Sequence, residues 1–147
     1  MILLDITSVS CESTTFCSDP LSLMQVFAVS FLAILFLQSG LDKVFDWRGN
    51  LEWLKGHFAK SILRRMVPTL LGVITLVEVA SGLCSAIGVV DILIGHGTCI
   101  AFIGATLSAV ALLMLFFGQR IAKDYAGAGG LVPYFILTLA TLYMLVF

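Results

Sequence analysis

The stretch VPTLLGVITLVEVASGLCSAIGVV, Val67 to Val90, decides the fold. It is apolar or small throughout, broken by a single charge at Glu78. At about 1.5 Å of rise per residue, a helix of this length crosses a hydrocarbon core of about 30 Å. Three further runs share its character: Leu21 to Gln38, Thr98 to Gly118, and Leu131 to Phe147, the last near the lower limit of about 17 residues for a span. Glycine-rich segments separate the later runs, Gly95-His96-Gly97 after the second and Gly127 to Pro133 before the fourth, and both read as turns. The expected fold is an all-α integral membrane four-helix bundle over residues 20–147, with residues 1–19 as a polar outer tail. Asp19-Pro20 supplies the helix start, because proline suits a first turn where its missing N–H is not needed.

Composition agrees with this reading. With 60% hydrophobic and 12% charged residues, the chain is far too apolar for a soluble domain, so its main partner is the lipid bilayer. A net charge of -1 and the lack of a Lys/Arg run interleaved with aromatics exclude a nucleic-acid surface. The tail has no Lys or Arg and no apolar h-region, so it is not a signal peptide and is expected to stay on the mature protein.

Orientation follows from the eight basic residues. Lys43, Arg48, Lys55, Lys60, Arg64 and Arg65 lie between spans one and two, and Arg120 and Lys123 follow span three. The positive-inside bias places both segments in the cytoplasm and both termini outside, as in a bacterial inner membrane. Within the first basic segment, Leu51, Leu54, Phe58 and Ile62 recur at helical spacing, so Asn50 to Met66 reads as an amphipathic helix in the cytoplasmic interface. Trp47 and Trp53 suit that depth. Such a helix anchors the protein at the surface or roofs a site for a lipid-soluble substrate.

Glu78 is the most informative residue. A charge near the bilayer midplane costs about 2.5 to 3.5 kcal/mol on insertion scales, so it must be protonated or hydrogen-bonded. Thr75, Ser81, Ser108 and Gln38 are the sequence's candidate partners. Three roles stay open for it: a polar tie between helices, a contact to quinone or another small ligand, and proton transfer. Gly82, one turn on, shares its face and Ala86 extends it, which would leave a groove for a flat ring or for a neighbouring helix. Ala101, Ala105 and Ser108 give span three a matching small face. At the basic end of span one, Gly40, Asp42, Lys43 and Asp46 cluster as interface or structural groups, and Lys43 is placed to pair with either aspartate if the helix continues.

The topology puts Cys11, Cys17, Cys84 and Cys99 toward the outer side. Of the three full pairings, Cys11 with Cys17 and Cys84 with Cys99 is the simplest. A dithiol relay is the alternative, although Cys11 and Cys17 lack C-x-x-C spacing. No metal site is expected, since His57 and His96 are placed neither for axial haem ligation nor for a finger-like zinc site. No self-contained catalytic motif appears, so the chain is not expected to be an enzyme alone.

The stretch Gln38-Ser39-Gly40-Leu41-Asp42-Lys43-Val44-Phe45-Asp46, with His57-Phe58, Pro68, Glu78, Gly82, Leu83 and Gly88, resembles the DoxX-like membrane proteins. This family includes the DoxD subunit of thiosulfate:quinone oxidoreductases and is similar to MauE. An Arg that many members place before span one is missing, since nothing before Lys43 is basic. The resemblance implies an accessory or quinone-linked subunit beside other subunits of a membrane redox complex. It points to Gly40, Lys43, Glu78 and Gly82, with quinone as the implied cofactor and Glu78, Gly82 and Gln38 as its expected contacts. A quinone-linked oxidoreductase subunit with outer thiol chemistry and a small transporter are the alternatives.

Overall fold

The computed structural model describes residues 20–147. Long apolar segments become helices in a membrane because lipid offers no partner for backbone N–H and C=O groups, which must be satisfied within the segment. Among the described residues, four helices are long and apolar enough to span: α1 (Pro20–Phe45), α3 (Val67–Leu93), α4 (Cys99–Ile121) and α5 (Tyr125–Val146). A shorter helix, α2 (Trp47–His57), lies between α1 and α3. The described residues therefore form an all-helical, multi-pass membrane fold.

The central helix is α3, which packs against α1 on one side and α4 on the other, while α5 leans on α4. Glycines set these distances, because helices in lipid associate through close packing and not through burial from water. A Cβ on Gly88 would sit 2.5 Å from the Cα of Ala101, and one on Gly104 would sit 2.6 Å from the backbone N of Ser85. On the other side, a Cβ on Gly82 would meet the backbone N of Leu37 at 2.7 Å, and one on Gly40 would meet the backbone N of Val79 at 3.1 Å. Val29, Leu32 and Phe36 of α1, Leu71 and Ile74 of α3, and Ala105 and Leu112 of α4 fill the core. The bundle closes at the end away from the basic loops, where the Gln25 amide donates to the Met144 carbonyl at 2.6 Å, and near mid-span Phe31 stacks on Tyr134.

Helix bounds depart from the sequence reading in informative places. α1 runs seven residues past Gln38, about 39 Å in all, so its last two turns rise beyond the hydrocarbon core and carry Gly40 to Lys43 on helix. The amphipathic helix is Trp47–His57, not Asn50 to Met66. It starts early because the Asp46 carboxylate accepts from Gly49 N, and it ends at Phe58, whose buried ring turns the chain back into the bundle. Ser61 then caps a 3-10 turn, Ile62–Arg65, that leads into α3 and leaves Ile62 exposed. Gly127 to Pro133 is helix, not turn: Asp124 caps α5 by accepting from Gly127 N at 2.9 Å, and Pro133 lies inside the helix. Lipid favours helix over an open glycine turn there, and Pro133 forgoes only the N–H bond to the Gly129 carbonyl.

Candidate functional site

Glu78 has no exposed surface, yet it is not left alone. Its Oε2 is 2.8 Å from Lys43 Nζ, and its Oε1 accepts from the Ser39 hydroxyl at 3.2 Å. Lys43 is one helical turn beyond Ser39, and the continued α1 turns both toward α3. The ammonium also donates to Ser39 Oγ at 2.8 Å and to the Ser39 carbonyl at 3.2 Å. One buried carboxylate is thus held by an ammonium and a hydroxyl from the facing helix, which offsets the cost of placing it in the membrane.

Lys43 pairs with neither Asp42 nor Asp46. Both aspartates are exposed, and Asp46 serves as the cap of α2. The candidate partners of Glu78 have other engagements. Ser81 and Ser108 share a 2.6 Å hydrogen bond across the α3–α4 contact, Thr75 bonds back to the Leu71 carbonyl, and Gln38 is exposed. Ser39, which the sequence reading missed, takes their place. The groove expected beside Gly82 for a flat ring or a neighbouring helix takes the helix: Leu37 of α1 packs there. Gly40, Lys43, Glu78 and Gly82, the residues the resemblance pointed to, all sit at this one α1–α3 crossing.

The space for a ligand lies next to this crossing, beneath α2. A cavity of about 370 Å³ is bounded by Trp53, Leu54, His57 and Phe58 above, by Leu70, Leu71 and Ile74 of α3, and by Met114, Leu115 and Gly118 of α4. Its volume falls within the range of about 300 to 1,000 Å³ typical of small-molecule sites. Most of its wall is apolar, with Lys43, Asn50, His57 and Gln119 as polar groups. Trp53 stacks on the His57 ring with centroids 4.7 Å apart, and Phe58 meets that ring edge-on. His57 Nε2 lies 3.1 Å from Gln119 Oε1 and 3.7 Å from Asp124 Oδ2, which ties α2 to the end of α4. Neither His57 nor Gln119 was among the expected site residues. No local motif marks Gln119, and His57, although part of the His57-Phe58 pair in the resembling stretch, was given no role there.

Cys84 and Cys99 carry free thiols, so the Cys84–Cys99 pairing is not formed. The register explains this. Gly88 faces Ala101 and Ser85 faces Gly104, which puts Cys99 near Val90, about 9 Å along the axis from Cys84. A disulfide needs Cα atoms within about 7 Å. Cys11 and Cys17 lie outside the described residues. Searches against protein-family models, curated proteins and solved structures found no match to this chain.

Proposed function

We propose that this chain is a non-catalytic accessory subunit of a membrane redox complex that holds a quinone-type, lipid-soluble ring in the cavity beneath α2. The observation that carries this reading is the cavity itself: apolar, ring-walled, near the basic end, and bordered by Lys43 of the buried Lys43–Glu78 pair. The ligand position differs from the expected Glu78, Gly82 and Gln38 contacts, with Glu78 acting at one remove by fixing Lys43. The basic loops lie at this same end, which the positive-inside bias assigns to the cytoplasm of a bacterial inner membrane, with both termini outside. The resemblance to DoxX-like proteins supports the redox setting.

The alternatives have less support. A thiol relay between Cys84 and Cys99 is opposed by their register, and both lie far from the cavity. A transport route along the buried hydroxyls Ser81, Ser108 and Ser85 would meet the backbone contact of Gly88 with Ala101, which leaves no room for passage.

Gentle detergent extraction and native separation, with solvent extraction of quinone from the same band, tests the proposal. Comigration with oxidoreductase subunits and bound quinone is expected, and Gly118→Leu, which fills the cavity, should lose the quinone. A solitary protein without quinone would refute it.

A further inference from the structure

The segment from Phe58 to Met66, FAKSILRRM, carries three cations, Lys60, Arg64 and Arg65, and no carboxylate. The other basic residues are accompanied. Lys43 is paired with Glu78, and Arg120 lies over the Tyr125 ring at 4.8 Å. Arg48 and Lys55 flank Glu52 on one exposed face of α2, and Lys123 is followed by Asp124. Lys60, Arg64 and Arg65 are exposed, and among the described residues none of the three makes an ion pair or a ring contact.

Apolar side chains stand out of the same turn. Ile62 is 93% exposed and Met66 is exposed as well, so neither serves to fill the bundle. Residues three apart eclipse in a 3-10 turn, which sets Arg65 on the edge that carries Ile62. The depth of the turn follows from the helix it leads into. The 27 residues of α3 rise about 40 Å, more than a hydrocarbon core of about 30 Å, so this helix reaches into the headgroup layer. At that boundary an isoleucine meets the acyl chains, while long basic side chains beside it meet the phosphates.

We infer that the turn between α2 and α3 is a binding site for anionic phospholipid, with Lys60, Arg64 and Arg65 taking the headgroup charge and Ile62 and Met66 the upper acyl chains. Free phosphate would leave Ile62 in water, whereas a phospholipid covers both kinds of group. This holds whatever fills the cavity.

The full chain, delipidated in mild detergent, is titrated with an equimolar mixture of phosphatidylglycerol and phosphatidylcholine of identical acyl chains. Native mass spectrometry counts the singly lipidated species. The phosphatidylglycerol adduct is expected in about fivefold excess, the factor for one cation facing one anionic headgroup. Replacing Lys60→Gln, Arg64→Gln and Arg65→Gln together should bring the ratio to about one, and Arg48→Gln with Lys55→Gln should leave the excess unchanged. Equal adducts in the wild type, an excess that survives the triple replacement, or one that is lost with Arg48 and Lys55 overturns the inference. The wild-type chain in vesicles holding phosphatidylglycerol with a photoactivatable headgroup decides without any variant. Crosslinks are expected within residues 59–66, and crosslinks that miss this segment overturn the inference.

Discussion

The ion pair of Lys43 with Glu78 shows how a single charge is kept in an apolar helix. Removing one partner strands the other, so Lys43→Met should cost about 3 kcal/mol. That cost is readable as earlier thermal unfolding in detergent. Lys43→Met combined with Glu78→Leu should recover most of the loss, because a buried pair is worth little more than a well-packed apolar pair. A double variant no better than the single one would show that Glu78 is not held by Lys43. The glycines make an equally sharp contrast. Gly88→Ala should destabilise by about 1 to 3 kcal/mol, since its Cβ meets the Ala101 backbone. Gly130→Ala, with nothing near its Cβ, should be neutral or stabilise by about 0.5 kcal/mol, and the same thermal assay separates the two. Glu78 was legible in the sequence because a carboxyl in an apolar run demands compensation. Its partner was not, because hydropathy carries no pairing information, and nearby aspartates offered Lys43 an easier match. The role of Gly82 was half legible: the small face was evident, but not that Leu37 occupies it.

At the scale of elements, α2 is the least embedded helix, with no buried residue of its own. It is held by the Asp46 cap, by Leu51 and Leu54 against the core, and by the His57–Gln119 bond. Asp46→Ala removes the cap, worth about 1 kcal/mol. Amide exchange should then quicken across residues 47–57 and stay unchanged in α3; faster exchange throughout the bundle would argue that α2 is a structural staple and not a local roof. The register of α3 against α4 gives another expectation. Mild oxidation should leave Cys84 and Cys99 uncrosslinked, with each thiol modified separately in peptide mass analysis, whereas a joined peptide would contradict the glycine contacts. The amphipathic period of α2 could be read from Leu51, Leu54 and Phe58, but its end could not, because Phe58 leaves the helix to fill the bundle. Gly127 to Pro133 misled for a related reason: glycine and proline mark turns in water, and lipid removes the water that a turn would need.

The whole molecule was the most legible scale, since four long apolar runs leave few other solutions than a helical membrane bundle. A roof over a lipid-soluble ligand could be read from the amphipathic segment, but the place and lining of the cavity could not, because it arises where α2 fails to fill the space over the α3–α4 seam, a matter of three-dimensional packing that no single run records. That cavity is the proposed ligand site. Photolabelling in native membranes with a short-tailed azidobenzoquinone, followed by peptide sequencing, tests it most directly. Labels are expected within residues 47–58 and 114–119, abolished by Gly118→Leu. Labels around Glu78 to Ala86 and Gln38, or spread evenly over the lipid-facing helices and unaffected by Gly118→Leu, would contradict it.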